Sequence, residues 1–253
     1  GRDVEVIPCA SFKEVVHLAG DKKESNGGMM AIENSIAGSI LPNYSLLQKS
    51  KLTIAGEVYL KIRQHLLVNP GVELHHIREV HSHPIALLQC ADYLDGANWK
   101  LVETEDTALS AKHIHQTKSK HIAAVAGKLA AQLYNLDVIA PDIQSMKNNY
   151  TRFLAIQRSE DVAAVEGADK ASVNFETDHS KGSLAKVLTL IARNGINLSK
   201  LQSFPIPGSK WKYSFHADME FDSIKQFEKT IMMAKPLTEM IRVYGIYKKG
   251  KTV

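Results

Sequence analysis

Short apolar runs alternate along the first 158 positions with stretches whose apolar residues recur every three or four places. Val4–Ile7, Met29–Ile32, Thr53–Val58, His65–Val68, Glu79–His81, Lys100–Val102, Ile122–Val125 and Thr151–Ile156 read as strands. Ser11–Leu18, Pro84–Leu94, Thr107–His115 and Lys128–Leu136 read as helices, and Ser11 with Glu14 three residues on forms a capping box. Alternating strands and helices predict a layered α/β architecture. The segment SEDVAAVEGAD, 159–169, is small, acidic and unpatterned, as a linker is. Beyond it the rhythm restarts. Ala171–Glu176 is a strand, Ser183–Arg193 an amphipathic helix and Ile196–Phe204 a strand. Pro205–Ser209 is a turn, Trp211–Glu220 an alternating strand, Ser223–Met233 a helix and Met240–Tyr247 a closing strand. That order, βαββαβ, is the ferredoxin-like split motif.

Composition sharpens this division. The 253 residues are 44% hydrophobic and 23% charged, which excludes disordered and collagen-like chains. The net charge of +4 is unevenly spread: residues 170–253 carry +7 and residues 1–169 carry −3. The basic residues of the last third are scattered over helices and strands rather than set in a stripe, so no nucleic acid is expected as a partner. Cys9 and Cys90 lie in apolar contexts and read as buried free thiols of a reducing, cytoplasmic protein. No apolar run approaches the roughly 18 residues of a membrane span, and no signal peptide is expected. The chain opens directly on strand-like Val4–Pro8, as if already inside a domain.

Ligands of open α/β sheets collect beyond the carboxyl ends of strands. Three polar clusters follow predicted strands: Glu33-Asn34-Ser35, Ser82-His83-Pro84 and Glu105-Asp106-Thr107. Hydroxyls and free amides at such positions suit a carboxylate ligand. Ser35, Ser82 and Thr107 serve equally well as helix caps, and spacing leaves both roles open. A fourth cluster, Asn149-Tyr150-Thr151-Arg152-Phe153, enters an apolar strand, where Arg152 suits either a carboxylate or a strand ion pair. The eleven histidines are not placed as zinc ligands: His81 and His83 alone share a face, Pro84 ends that strand, and no metal site is expected. There is no GxGxxG, P-loop or nucleophile elbow.

Taken in order, these clusters resemble the prephenate dehydratase family. Cys9-Ala10-Ser11-Phe12 is similar to its CASF segment, and Ile32-Glu33-Asn34-Ser35 with Gly38-Ser39 to its IENS..GS motif. Ser82-His83-Pro84, Ala86-Leu87 and Gln89-Cys90 resemble SHPxALxQC, Asp106-Thr107-Ala108 its TA helix start, and Asn149–Phe153 its N-x-TRF signature. The last third resembles an ACT domain, with Gly182-Ser183-Leu184 at the family's GAL and Asn197-Leu198 at its NL pair. Gln202-Ser203-Phe204-Pro205 stands in place of ESRP, and Ala185 replaces the His or Tyr after GAL. The family's first strand and Gly-rich loop have no counterpart in the sequence.

The resemblance implies a two-subdomain catalytic domain like type II periplasmic binding proteins over 1–158, a linker over 159–169, and an ACT regulatory domain over 170–253. It implies the conversion of prephenate to phenylpyruvate in phenylalanine biosynthesis, without cofactor or metal, because aromatisation drives the loss of CO2 and water. Thr151 is expected as the catalytic residue, hydrogen-bonding the departing hydroxide, with Glu33, Glu57 or His83 as an ultimate proton source. Glu33, Asn34, Ser35, Ser82, His83, Thr107, Asn149, Arg152 and Phe153 are the expected substrate contacts. Phenylalanine is the expected effector, at Gly182, Ser183, Leu184, Asn197 and Leu198 of a homodimer or homotetramer. Dehydration of arogenate, and a noncatalytic two-lobed sensor, are the competing functions.

Overall fold

In the computed structural model, residues 4–206, 208–209 and 212–253 are described. By contact the chain divides into two compact units. Unit 1 comprises 1–33, 39–59 and 152–253, and unit 2 comprises 34–38 and 60–151.

Unit 2 is built on a five-stranded sheet of β4 (His65–Val68), β5 (Glu79–Ser82), β6 (Lys100–Glu103), β7 (Ile122–Ala126) and β8 (Asp137–Ala140), in the order β6-β5-β7-β4-β8. The β5 strand runs parallel to β6 and β7, while β4 is antiparallel to β7 and β8. Both faces are covered. Leu66, Val68, Ala123 and Val125 enter one apolar cluster, and Leu67, Ala124 and Ala126 enter another. Side-chain alternation along a strand buried on both faces gives the continuous apolar run visible in the sequence. Of its helices, α5 (Thr107–Thr117) starts where predicted. Its cap is Asp106, which accepts a hydrogen bond from the Leu109 amide at 2.8 Å. The helix expected over Pro84–Leu94 is two, α3 (Pro84–Gln89) and α4 (Ala91–Leu94), broken where Cys90 leaves helical geometry. The helix expected over Lys128–Leu136 stops early, as α6 (Lys128–Leu133).

Unit 1 holds two four-stranded sheets. The first joins β1 (Gly28–Asn34), β2 (Gly38–Ser39), β3 (Leu52–Lys61) and β9 (Tyr150–Arg158) in the order β2-β1-β9-β3. Helix α1 (Phe12–Gly20) begins on the predicted cap, with Ser11 accepting from the Glu14 amide at 3.3 Å. Helix α2 (Leu41–Lys49) is unpredicted: its apolar positions are weakly periodic, and Pro42 sits in its first turn, where a proline is tolerated. The strand expected at Val4–Ile7 is not formed. Val4 and Val6 are exposed, and the segment joins no sheet among the described residues.

The second sheet of unit 1 is fully antiparallel between neighbours and follows the predicted order. It contains β10 (Lys170–Glu176), β11 (Asn197–Pro205), β12 (Tyr213–Glu220) and β13 (Met240–Tyr247) in the order β11-β12-β10-β13, with α7 (Ser183–Arg193) and α8 (Ile224–Ala234). Pro207 and Trp211, in the predicted turn and strand, lie outside the described residues. Ala171, Val173, Phe175, Ala217 and Met219 pack beneath the two helices with Val187, Ile191, Phe227 and Ile231. The opposite face of this sheet lies on the first. Tyr244, Tyr247 and Phe204 join Ile32, Tyr44, Ile54, Leu154 and Ile156 in one core. The approach is close enough that a Cβ on Gly245 would sit 2.0 Å from the Ile54 carbonyl oxygen.

Candidate functional site

Two of the sequence clusters converge in unit 2, and Gln89 joins them. Asn34, at the end of β1, has its amide oriented by the backbone: its Oδ1 accepts from the Ile36 and Ala37 amides at 3.0 and 2.9 Å. Two backbone donors on one oxygen leave the nitrogen for the other side. There Nδ2 faces Asn149 Oδ1 at 2.7 Å, Thr151 Oγ1 at 3.1 Å and the Tyr150 carbonyl at 3.2 Å. The orientation propagates. With its oxygen taken, Asn149 donates from Nδ2 to Gln89 Oε1 at 3.0 Å, and Gln89 Nε2 turns to Asn34 Oδ1 at 3.5 Å. Asn149 is fully buried. Ser35 closes the pairing, its amide donating to the Tyr150 carbonyl at 2.8 Å and its Oγ accepting from the Tyr150 amide at 2.9 Å.

This amide chain delivers one donor to the hydroxyl oxygen of Thr151. Thr151 Oγ1 accepts from Asn34, and its own proton has no acceptor among the described residues. A hydroxyl held through its oxygen has its proton available for another acceptor. Gln89 lies in the segment that resembles SHPxALxQC and is not among the expected site residues. The missing signal is spatial, since only the fold brings the end of α3 to Asn149.

Other predicted residues of unit 2 stand outside this hydrogen-bonded cluster. Ser82 is buried and donates to the Val125 carbonyl at 2.6 Å, tying β5 to β7. His83 caps α3, its Nδ1 accepting from the Ile85 amide at 3.2 Å. Thr107 opens α5, and the hydroxyl pair beside it is Thr104 with Ser110 at 2.6 Å. Cys90 is buried in the apolar cluster, and burial pushes its thiol up to about 12. Cys9, expected to be buried, is half-exposed because its segment joins no sheet.

Glu33 and Arg152 belong to unit 1. Strand alternation turns Arg152 away from the face carrying Thr151 and Phe153. Its side chain is 5% exposed and all three nitrogens are engaged. Nε donates to Glu57 Oε2 at 2.6 Å, Nη1 pairs with Asp218, and Nη2 donates to Tyr247 Oη at 3.2 Å. Lys170 Nζ reaches both Glu57 oxygens at 2.9 and 3.1 Å. Asp218 also takes a hydrogen bond from Ser172 and lies 3.3 Å from His216 Nε2. Burial alone would raise the Asp218 carboxyl, but His216 and the Arg152 charge hold it well below the usual carboxylate range. Burial would likewise lower Arg152, yet Asp218 keeps it firmly cationic. Lys200 on β11 pairs with Glu33 and donates to Ser39 Oγ at 2.6 Å.

In the βαββαβ module, Gly182 takes a left-handed conformation (φ 82°) at the start of α7. Ser183 Oγ donates to the Asp178 carbonyl at 2.8 Å, and Leu184 packs on the module core. The register separates the two predicted effector segments. Asn197 and Lys170 both pair with Glu220, whereas Glu176, which leads to Gly182, pairs with Ser214. Asn197 therefore lies level with the Lys170 end of β10, whereas the chain leaves for Gly182–Leu184 from its Glu176 end, the two ends being about 20 Å apart at strand rise.

The chain belongs to the prephenate dehydratase family, which it matches over residues 1–161. Arogenate dehydratase 2 of Petunia hybrida is 34% identical over 258 residues, covering 96% of this chain and 65% of that protein. The chain thus spans about two thirds of that relative's length. Among solved structures, prephenate dehydratase from Arthrobacter aurescens in complex with L-Phe is similar at a TM-score of 0.85 and 27% identity, over 96% of this chain and 81% of that one. GqqA, described as a quorum quenching acylase, is similar at a TM-score of 0.87 and 27% identity, over 96% and 89%. No helix among the described residues is long and apolar enough to cross a membrane.

Proposed function

We propose that the chain catalyses the decarboxylating dehydration of prephenate to phenylpyruvate. The observation that carries this reading is the Thr151 hydroxyl, held through its oxygen by Asn34 and with no acceptor for its proton among the described residues. Loss of the ring carboxylate as CO2 sends its bonding pair into the ring while the C–OH bond breaks. The departing hydroxide takes up one proton and leaves as water. A threonine hydroxyl is too weak an acid to be the source of that proton, so Thr151 acts by hydrogen bonding or relay, which eases departure of a poor leaving group. Ser35, His83 and Thr107, at loops and helix starts of unit 2, are the polar groups offered to substrate carboxylates, whereas Ser82 is buried and its hydroxyl is spent tying β5 to β7. In this reading Arg152 and Glu33, engaged by charges of their own unit, position the chain.

Arogenate, the amino analogue, is the second substrate this chemistry accommodates, and the petunia relative carries that name. An acyl-transfer activity, suggested by GqqA, would need an activated nucleophile. Ser82, whose proton goes to the Val125 carbonyl, does not supply one. The test is incubation with prephenate and with arogenate, following phenylpyruvate and phenylalanine. Phenylpyruvate from prephenate is expected; turnover of neither by the folded protein overturns the reading.

The βαββαβ module is read as an ACT domain that binds phenylalanine. Because the chain leaves for Gly182–Leu184 from the end of β10 away from Asn197, a complete site is assembled by two modules placed side by side, which calls for a homodimer or homotetramer. Calorimetry with phenylalanine, alongside sedimentation, tests this: saturable binding by an oligomer is expected, and a monomer without binding overturns it.

A further inference from the structure

Two strands of the C-terminal module reach the residues that flank the Asn34–Thr151 hydrogen bond in sequence. From β11, Lys200 pairs with Glu33, the residue before Asn34. From β12, Asp218 pairs with Arg152, the residue after Thr151. Neither contact is a loose surface pair. The side chains of Asp218 and Arg152 are 0% and 5% exposed, and that of Lys200 is 12% exposed. Charges balance across the seam, with Arg152, Lys170 and Lys200 facing Glu57, Asp218 and Glu33. Asp218 is itself fixed by Ser172 and His216 of its own sheet. Lys200 is steadied by Ser39, whose Oγ also donates to Gln202 Oε1 at 3.1 Å, and Phe204 packs on Tyr44 with ring centroids 5.3 Å apart.

We propose that Lys200 and Asp218 are positioning residues for the dehydratase reaction, holding Glu33 and Arg152 so that Asn34 presents its amide to the Thr151 hydroxyl. The proposal rests on the reading of Thr151 given above and extends it to residues outside the segment that matches the family. Removing one partner of such a pair leaves the other charge uncompensated, which destabilises the arrangement that holds it; Arg152 is buried and Glu33, 29% exposed, is half-buried. Glu33 and Arg152 are each one peptide bond from a member of the Asn34–Thr151 pair. A displacement of about 1 Å at a reacting group lowers the rate by roughly a hundredfold. Half-buried Lys200 is the better probe for folding, and Asp218 the better probe for charge.

The test measures kcat and KM for Lys200→Met, Lys200→Arg and Asp218→Asn, each also in a Thr151→Ala background, with wild type in the same series. A fall in kcat of about 10- to 100-fold with KM little changed is expected for Lys200→Met and Asp218→Asn. Lys200→Arg restores most of the rate, because it keeps the charge. In the Thr151→Ala background the same substitutions have little further effect, since they act through the missing hydroxyl. Folded variants with wild-type kcat, or equal losses in both backgrounds, overturn the positioning role while leaving the dehydratase reading intact. A wild type that turns over neither prephenate nor arogenate overturns both. If Asp218→Asn does not fold, the Lys200 series decides alone.

Discussion

Asn34 donates from Nδ2 to the hydroxyl oxygen of Thr151 at 3.1 Å, and two backbone amides on its own Oδ1 prevent it from turning round. The pair tests as a unit. Thr151→Ala is expected to lower kcat about 100- to 1,000-fold, the scale of one acid-type contact, while Thr151→Ser retains much of it. Asn34→Asp keeps the acceptor for the Ile36 and Ala37 amides but sets a carboxylate oxygen against Asn149 Oδ1 and the Tyr150 carbonyl, so kcat falls and the melting temperature falls with it. Steady-state kinetics beside a melting curve check this; a Thr151→Ala enzyme with unchanged turnover removes Thr151 from the reaction.

Much of this arrangement was legible in the sequence. Most of the strands and helices, the capping of α1 by Ser11 and the βαββαβ rhythm follow from periodicity and turn chemistry, while β2, α2 and β8 carry too short or too weak a pattern to be read. The motifs that converge on Thr151 were legible as motifs. Their convergence, and the share Gln89 takes in it, needed the fold. The seam was hidden for a specific reason. Lys170, Ser172 and Asn174 on β10, and Ser214, His216 and Asp218 on β12, alternate with apolar residues, a pattern that ordinarily marks one face in water. Here those polar residues are buried too, because the opposite sheet supplies partners such as Glu57 and Arg152. The excess positive charge of the last third is, in part, the complement of this seam.

The two cysteines are expected to separate cleanly by reactivity. The thiolate is the reactive form, and Cys90 is both buried and held protonated near neutral pH. A thiol reagent at pH 8 labels Cys9 in the native protein and reaches Cys90 only when the core of unit 2 opens. Stopped-flow labelling with and without urea checks this; two equally fast thiols in the native state contradict it.

Gly245 tests how tightly the two sheets of unit 1 are seated. Its position admits no Cβ, with Ile54 backbone atoms at 2.0 and 2.8 Å from where one would stand, so β13 or β3 must shift. Gly245→Ala is expected to cost about 2 kcal/mol or more, the range of overpacking in a close-packed core. That corresponds to a fall in Tm of about 4–8 °C at this chain length. Gly56, on the same strand β3 with open space beside it, is the control, and Gly56→Ala leaves Tm unchanged or slightly raised. Equal melting temperatures for the two variants would mean that the seam is not close-packed.

Asp218 gives the seam a pH signature. Its carboxyl is held below the usual range in the folded chain by His216 and Arg152, against the opposing effect of burial. A carboxyl lowered on folding contributes stability that is fully present above its unfolded value, about 4. That contribution is lost as the pH falls below 4 toward the folded value, because the unfolded chain then binds the proton first. Replacing Asp218 by Asn removes the contribution and leaves Arg152 short of one counter-charge, a loss of about 3 kcal/mol for a buried pair broken on one side. The stability gap between wild type and Asp218→Asn is therefore expected to be narrower at pH 3 than at pH 5 or pH 7. Urea unfolding at the three pH values measures it directly. A gap that stays constant down to pH 3 would mean that the carboxylate is not held by charge, and that its place in the seam is one of packing alone.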